Sequence, residues 1–284
     1  MQVRRPDFAG SWYPGNEAEC RAEIERLARN PINCPGESEK RIGGIVPHAG
    51  WYYSGKVIYN VIRCLTTDTT PETCVIFGRH LHSGSSNYIM KEGFWSTPFG
   101  EIEIDKGLAD RVTEEFPFKV ETASYNEPDN TIEVLLPFVK YFFPDVKLLP
   151  VGLPPTNASL KIGERIAEIS TGMDKNILIL GSTDLTHYGS NYGFTPKGSG
   201  KEALDWVKNE NDKKIIDLML AMDPEGMIKE SLTNYNACCS GAVAAAVASM
   251  KRLGAVRGDK IVYTTSYDVR PDTSFVGYVG VVFS

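Results

Sequence analysis

The stretch "ILILGSTDLTHYG", from Ile177 to Gly189, carries the clearest fold signal in the chain. Four bulky aliphatic residues lead into Gly181, which is typical of a strand buried on both faces of a sheet. An acid, Asp184, and an imidazole, His187, follow this strand before the second glycine. A strand built for burial that ends in an acid and a histidine indicates that its tip faces a cleft.

Similar apolar segments alternate with helical patterns along the rest of the chain. "RIGGIVP", "TCVIFG" and "VKLLPVGL" are predicted strands, and "ASLKIGERIAEIS" has helical spacing. We expect Ser54 to cap the helix "GKVIYNVIRCL" and Pro137 to kink or restart another. The alternation predicts an α/β fold whose mixed, largely parallel sheet is covered on both faces. No repeat or linker interrupts it, so we expect one domain over residues 1–284.

The composition excludes several classes of function. A net charge of -6 over 284 residues argues against nucleic-acid binding. No stretch approaches the roughly 20 apolar residues of a membrane helix, and the N-terminus does not resemble a signal peptide. The six cysteines lack the spacing of a disulfide framework or a zinc motif. We therefore expect a cytoplasmic protein with free thiols and with neither a nucleic-acid nor a membrane partner.

All four histidines of the chain follow apolar strands. His48 lies in "GGIVPHAG", His80 and His82 lie in "CVIFGRHLHSG", and His187 lies in "LILGSTDLTHYG". In an open α/β sheet, the loops at the carboxyl ends of the strands share one edge, and ligands bind there. A single histidine after a strand is more often a hydrogen-bonded structural residue than a functional one. Four in equivalent places predict a metal site or an acid–base site.

The candidate anionic ligands are carboxylates and thiols. Two or three histidines with one anionic ligand make the donor set of a non-heme iron site or a catalytic zinc site. Asp184 and Glu133 are the candidate carboxylates, and Cys238 and Cys239 precede a helix of small residues in "NYNACCSGAV". A helix N-terminus favours the thiolate that binds metals. Two small buried residues in a tight helix contact are an equally good interpretation of the cysteine pair.

Six blocks of sequence, in order along nearly the whole chain, resemble the Memo family. Its members include a Memo-like protein that occurs together with an AMMECR-like protein and a radical-SAM protein. The blocks are "FAGSWYPG", "PHAGWYYSG", "WSTPFGEIEID", "TIEVLLPF", "STDLTHYG" and "ACCSGAV". The resemblance implies a three-layer α/β/α domain like that of the class III extradiol dioxygenases, which hold ferrous iron by two histidines and a glutamate. It also makes AMMECR-like and radical-SAM proteins candidate partners of this chain.

In Memo-like proteins the corresponding site has a cysteine in place of the glutamate. Carried over by motif, the resemblance implies that His48 in "PHAG" is the first ligand and Cys238 in "NAC" is the third. It implies that His187 is the acid–base catalyst, with Asp184 on the same loop as the neighbour that orients its ring.

The sequence departs from the family pattern in two places. Where the family has Gly-Pro-Asn-His, or the same with Ser for Asn, this chain has "FGRHLHSG". The ungapped register from "MKEGFWSTP" selects His80 as the second ligand because it preserves the spacing to Trp95, whereas the local His-small-Gly pattern would select His82. Asn130 stands where the family commonly has a histidine. If that histidine shapes the pocket, the ligand or partner preference of this chain differs.

These observations lead to three hypotheses of function. The first is a metal-dependent, dioxygenase-like oxidoreductase that acts on an unknown small molecule or a partner protein. Its metal would be Fe(II) or copper, or else zinc, because a thiolate ligand favours softer ions than a carboxylate does. The second is a non-catalytic interaction protein that binds a peptide or a protein in the same cleft. Trp51, Tyr52 and Tyr53 are candidates for the wall of that cleft, although we expect at least two to pack over the sheet edge. The third is a zinc hydrolase.

Overall fold

The computed structural model describes residues 2–35, 41–66 and 70–284, and its elements follow the predicted alternation of strands and helices. The strands are β1 (Val3–Arg4), β2 (Gly43–Val46), β3 (Thr73–Gly78), β4 (Tyr88–Met90), β5 (Phe94–Thr97), β6 (Gly100–Glu103), β7 (Lys119–Glu121), β8 (Lys147–Gly152), β9 (Ile177–Ser182), β10 (His187–Tyr188), β11 (Gly258–Thr265) and β12 (Phe275–Phe283). The helices are α1 (Glu17–Ala28), α2 (Trp51–Cys64), α3 (Lys106–Glu115), α4 (Asn130–Glu133), α5 (Leu136–Phe142), α6 (Asn157–Gly172), α7 (Lys201–Trp206), α8 (Asp212–Leu220), α9 (Pro224–Asn234), α10 (Ser240–Arg252) and α11 (Ser266–Val269).

A mixed sheet forms the middle layer of the fold. Its strand order is β10-β12-β2-β9-β3-β8-β4-β7, and β11 pairs with β12 outside this path. The centre, β2-β9-β3-β8, is parallel throughout, whereas β12 and β4 join it in antiparallel orientation. A smaller sheet, β1-β5-β6, contains the hairpin β5-β6. The predicted α/β fold with a mixed sheet is therefore confirmed, with the parallel pairing concentrated at its centre.

Helices cover both faces of the large sheet because successive side chains of each central strand point to opposite sides. In β3, Val75 and Phe77 pack in the apolar cluster that includes residues of α3, α6, α8, α9 and α10. Cys74 and Ile76 pack on the other face, with residues of α1, α2 and α5. The three-layer α/β/α arrangement that the resemblance implied is therefore present.

Small residues bring α10 close to both β9 and α6. A Cβ atom added at Gly181 of β9 would lie 2.9 Å from the Cβ of Ala246 in α10. A Cβ atom added at Gly163 of α6 would lie 2.3 Å from the carbonyl oxygen of Ala245. Cys239 is the N-cap residue of α10, so this close packing places the cysteine pair beside the carboxyl end of β9.

Two helix starts test the local predictions. Helix α2 begins at Trp51 with Gly50 at the N-cap, so the prediction that Ser54 caps this helix is wrong. The Ser54 hydroxyl instead donates a hydrogen bond of 2.7 Å to the carbonyl of Ala49, inside the first turns of the helix. Pro137 lies in the first turn of α5, where its missing N–H costs nothing, and so it restarts the helical run.

One cysteine pair contradicts the prediction that all the thiols are free. Cys34 and Cys64, the last residue of α2, form a disulfide across a sequence separation of 30 residues. No spacing rule marks this pair, because only the fold brings the segment before β2 onto the end of α2. Disulfides are typical of oxidising compartments and of some thermophile proteins, so cysteine usage does not support the cytoplasmic location, which stays a prediction. None of the helices in the described ranges has the length and apolarity to span a bilayer.

Candidate metal centre

The carboxyl ends of three neighbouring parallel strands meet at one edge of the sheet, in the order β2-β9-β3. His48 follows β2, and His80 follows β3. Cys238 and Cys239 reach the same edge from the start of α10. One ligand atom from each of these four residues, which we call the histidine–cysteine cluster, lies within 4.8 Å of all the others. The structure thus brings together the three residues expected as ligands, and it adds Cys239.

The ligand atoms of the cluster lie in direct contact. The Nε2 atoms of His48 and His80 are 3.2 Å apart, and the Cys238 Sγ is 3.3 Å from the His48 Nε2. The Sγ atoms of Cys238 and Cys239 are 3.7 Å apart. His48 and Cys239 are buried, Cys238 is partly buried and His80 is exposed. The cluster is therefore reached from solvent on its His80 side.

A hydrogen-bond chain orients the His48 ring. The Ser182 hydroxyl donates its single proton to the Thr131 carbonyl over 2.6 Å. It must therefore accept a hydrogen bond from the His48 Nδ1, which lies 2.8 Å away. This arrangement keeps a proton on Nδ1 and turns Nε2 toward the cluster, as a metal-binding imidazole requires.

The loop after β9 holds Cys238 through its backbone. The Asp184 N–H donates to the Cys238 Sγ over 3.3 Å, and the Cys238 N–H donates to the Asp184 carbonyl over 3.1 Å. Burial raises the pKa of the Cys238 thiol, but the hydrogen bond from Cys239 and the neighbouring His48 outweigh burial and hold that pKa well below its ordinary value. Cys238 is therefore the thiolate of the pair, since burial and the Cys238 sulfur raise the pKa of Cys239.

Asp184 makes its closest contacts to a histidine with His48. Its Oδ1 accepts the backbone N–H of His48 over 2.8 Å, and its Oδ2 lies 3.9 Å from the His48 Nε2. Burial lowers the pKa of the His48 imidazole, but Asp184 and Cys238 outweigh burial and raise that pKa to about 9. Burial likewise raises the pKa of the Asp184 carboxyl, despite the opposing effect of His48 and His187.

His187 is half-buried and interacts electrostatically with Asp184, whose carboxylate contacts His48. The His187 Nδ1 donates to the Leu185 carbonyl over 3.0 Å, so this carbonyl supplies the hydrogen bond that orients the ring, the role expected of Asp184. Its ring meets Tyr192 edge-on, with 5.0 Å between the ring centroids. The Nε2 of His187 is the nitrogen left to exchange a proton. Tyr192 is a neighbour that the sequence did not reveal, because no periodicity or motif marks it.

Two alternatives from the sequence lie away from the cluster. His82 is exposed, and its Nδ1 accepts the Gly84 N–H over 3.1 Å, within its own turn. Glu133 is fully buried and serves the fold, because it accepts three hydrogen bonds from the segment before α1. Their donors are the backbone N–H groups of Asp7 and Phe8 and the hydroxyl of Tyr13.

At the two places where the sequence departs from the family pattern, the residues lie next to the histidines of the cluster. Asn130 donates from its side chain to the carbonyl of His48 over 3.2 Å. Arg79, directly before His80, has a left-handed backbone with φ of 77°, which is strained for a residue with a side chain. Its guanidinium holds this conformation through ion pairs with Glu121 at 2.9 Å and Glu127 at 2.7 Å. Asn130 therefore bonds to the backbone of His48, and the Arg79 backbone directly precedes His80.

The three aromatic residues after His48 have different environments. Trp51 is buried against Phe138 and donates from Nε1 to the Val134 carbonyl over 2.9 Å. Tyr53 packs on the apolar side of α2, whereas Tyr52 is 65% exposed. Two of the three therefore pack against the fold, as expected, and Tyr52 is left at the surface.

The fold and the histidine–cysteine cluster define a class of protein: a three-layer α/β protein with soft metal-binding atoms at the carboxyl edge of its sheet. A family model described as "Memo-like protein" matches residues 4–282. The chain belongs to the Memo family.

Curated relatives are similar over their whole length. The chain is 32% identical to a MEMO1 family protein of Pyrococcus furiosus, over 99% of this chain and 98% of that protein. It is also 32% identical to a MEMO1 family protein of Thermococcus onnurineus, over 99% of this chain and 99% of that protein. The identity to a MEMO1 family protein of Methanopyrus kandleri is 32% as well, over 99% of this chain and 98% of that protein. The crystal structure of an uncharacterized protein from Escherichia coli K12 is similar with a TM-score of 0.45 and 12% identity, covering 76% of this chain and 87% of that one. That structural likeness is too low to bear on the site.

Proposed function

We propose that this chain is a metal-dependent redox protein in which His48, His80 and Cys238 hold copper or iron, with zinc as a third candidate. One observation carries the proposal: two imidazole nitrogens and a sulfur face one another at 3.2 and 3.3 Å. They do so at the sheet edge where α/β proteins bind ligands. Imidazole and thiolate ligands favour copper, zinc and iron over calcium and magnesium.

The surroundings of these atoms fit a metal ion. Ser182 fixes the His48 tautomer that presents a lone pair on Nε2, and such a partner is typical of metal-binding histidines. The Asp184 N–H points at the Cys238 sulfur, which favours the thiolate. The carboxylate of Asp184 adds a negative charge 3.9 Å from Nε2, and this charge favours a cation.

Different residues would bind the ion and transfer protons. A bound copper or iron ion would supply electron transfer with a substrate. His48 and Cys238, which would hold the ion, would release to solvent the proton that lies between them when no ion is bound. His187, held by Leu185, is placed to take a proton from a substrate and return it. Tyr192 packs against the His187 ring at a centroid distance of 5.0 Å and would help to hold its orientation.

The substrate or partner would approach from the exposed His80 side of the cluster. His187 is half-buried and the Tyr192 ring is half-exposed, so both side chains could contact a small molecule or a peptide. AMMECR-like and radical-SAM proteins are candidate partners on the family resemblance, and we propose a cytoplasmic location on the same ground.

The test is anaerobic purification from cells supplied with iron and copper, followed by elemental analysis and an absorption spectrum. We expect about one metal ion per chain and a thiolate-to-metal charge-transfer band. Cys238→Ser should reduce the intensity of the band by at least about half, whereas His82→Ala should leave it intact because His82 lies outside the cluster. Protein without metal, combined with a His48→Ala variant that behaves as wild type, would refute the proposal.

A non-catalytic interaction role has one specific observation in its favour. Tyr52 is 65% exposed and lies four residues after His48, and exposed aromatic residues are enriched in binding surfaces. In this role, Tyr52→Ala should weaken capture of a purified AMMECR-like protein by more than about tenfold without loss of metal. Tyr125→Ala is the matched control, because Tyr125 is 67% exposed and lies in the segment between β7 and α4. Equal capture by both variants would remove this candidate.

A further inference from the structure

The proposed ligands leave one sulfur of the cluster without a role. The Cys239 Sγ lies within 4.8 Å of the ligand atoms of His48, His80 and Cys238. It is 3.7 Å from the Cys238 Sγ, and the residue is only 2% exposed. A buried cysteine is by default a small apolar residue, and Cys239 does border the apolar core beneath α10. Its sulfur nevertheless faces the other ligand atoms of the cluster.

The side-chain hydrogen bond of Cys239 stays within the cluster. Its backbone N–H donates to the Thr183 hydroxyl over 3.2 Å, which fixes the residue at the start of α10. Its side chain does not cap the helix. Within the described part of the chain, the Cys238 sulfur is the hydrogen-bond partner that its Sγ contacts. The sulfur is therefore turned toward the other ligand atoms and away from helix capping.

Three of the six distances between ligand atoms of the cluster match the edges of a tetrahedron around one ion. A tetrahedral site of two histidines and two cysteines has metal–sulfur bonds of about 2.3 Å and metal–nitrogen bonds of about 2.05 Å. Its edges are then about 3.3 Å between nitrogens, about 3.5 Å from nitrogen to sulfur and about 3.8 Å between sulfurs. The corresponding separations here are 3.2, 3.3 and 3.7 Å. The other three separations are at most 4.8 Å, so side-chain movement would bring these atoms together around an ion.

We infer that Cys239 is a fourth metal ligand, so that the histidine–cysteine cluster forms a closed tetrahedral site of two nitrogens and two sulfurs. The inference rests on the proposed function and narrows its metal. Such a site suits Cu(I) and Zn(II), which accept tetrahedral nitrogen and sulfur ligands, better than an Fe(II) centre that needs open positions for a substrate. On binding, the Cys239 thiol gives its proton to solvent and its sulfur binds the ion as a thiolate.

Cobalt(II) tests the inference, because it occupies zinc-type sites and absorbs light according to its ligands. The thiolate-to-cobalt charge-transfer band grows with the number of bound sulfurs. We expect Cys239→Ala to bind cobalt with a band about half as intense as that of the wild type. Cys20→Ala is the matched control, since Cys20 is also a buried free cysteine but lies in α1, where its thiol donates to the Pro14 carbonyl. Its cobalt spectrum should equal that of the wild type.

The outcomes separate this inference from the proposed function. If Cys239→Ala keeps the full band and Cys238→Ala loses it, Cys239 is not a ligand and the three-ligand site stands. If the wild type shows no thiolate–cobalt band, the proposed function itself fails. X-ray absorption of the zinc-loaded wild type covers the case in which Cys239→Ala does not fold. Two sulfur neighbours would support the inference, and a single sulfur would overturn it.

Discussion

Two buried polar clusters are anchored by the same loop, residues 183–187, and they satisfy their polar atoms in different ways. In the Asp212 cluster (Thr186, Asp212 and Tyr263), the carboxylate accepts hydrogen bonds from the N–H and hydroxyl of Thr186 and from the hydroxyl of Tyr263. In the histidine–cysteine cluster, two nitrogens and two sulfurs face one another. The first cluster pairs one carboxylate acceptor with its donors. The second places four atoms that can each bind a metal ion close to one another.

This difference separates a structural site from a binding site. A buried carboxylate that already has its donors needs no further partner, so Asp212 serves to join α8, β11 and the loop. The carboxylate lies directly against the backbone of Gly277, where a Cβ atom would be only 1.9 Å from the Asp212 Oδ2. Nitrogen and sulfur atoms that meet at one point can bind a metal ion through their lone pairs in addition to sharing protons. The comparison predicts that changes in one cluster affect stability and that changes in the other affect metal binding.

The largest expected effect is on stability at the Asp212 cluster. Burial raises the pKa of Asp212 from an ordinary value of 3.8 to about 7, although Thr186 and Tyr263 oppose the rise. The folded state therefore binds this proton more tightly than the unfolded state does. Its stabilising contribution is fully present below 3.8 and is lost as the pH rises through about 7. The rise corresponds to roughly 4 kcal/mol.

Asp212→Asn should remove that contribution to the pH dependence. Measured by urea unfolding between about pH 4 and about pH 8, the stability of the variant relative to the wild type should improve by roughly 4 kcal/mol as the pH rises. Metal content should not change, since Asp212 lies outside the histidine–cysteine cluster. Parallel pH profiles for the two proteins would show that Asp212 is ionised in the folded state at all these pH values.

Loss of a ligand should be the next largest effect. His48→Ala removes the nitrogen that lies closest to both His80 and Cys238. We expect metal affinity to fall by more than about 100-fold, or about 3 kcal/mol, in competition with a chelator. His82→Ala is the matched histidine control and should bind as the wild type does. An unchanged affinity in His48→Ala would place the metal elsewhere in the chain.

A support of the ligand should have a smaller effect than the ligand itself. Ser182→Ala removes the hydroxyl that accepts the His48 Nδ1 proton, so the ring loses its fixed tautomer. We expect metal affinity to fall by about tenfold in the same competition assay. Ser170→Ala is the control, because Ser170 is also fully buried but bonds to the Ile166 carbonyl within α6. Equal losses in both variants would attribute the effect to general loosening of the fold.

The smallest expected effect is the loss of one donor from the Asp212 cluster. Tyr263→Phe removes the hydroxyl that lies 2.8 Å from the Asp212 carboxylate. The free energy of unfolding should fall by about 1 kcal/mol in urea, with metal affinity unchanged. Because this hydroxyl lowers the pKa of Asp212, the pH at which stability is lost should also move upward in the variant. A changed metal affinity would mean that the two clusters are coupled through the loop.

Much of the fold and part of the candidate site could be predicted from the sequence. The central strands are apolar on both faces, and this pattern is local, so β2, β3, β8 and β9 were expected where they occur. Parallel strands put their carboxyl ends at one edge, so the convergence of His48 and His80 could also be expected. The start of α2 was misplaced because the segment from Trp51 joins the helix through tertiary packing against Phe138.

The sequence by itself determined which segments form the sheet, which residues stand at its strand ends, and the membership of the Memo family. These properties depend on local patterns of apolar and polar residues. Only the tertiary structure decided that His80 joins the cluster while His82 turns away, and that the Cys239 sulfur lies beside Cys238. It also decided that Cys34 and Cys64 meet. The reason is physical: side-chain directions in loops and contacts between distant segments depend on packing, which no local pattern encodes.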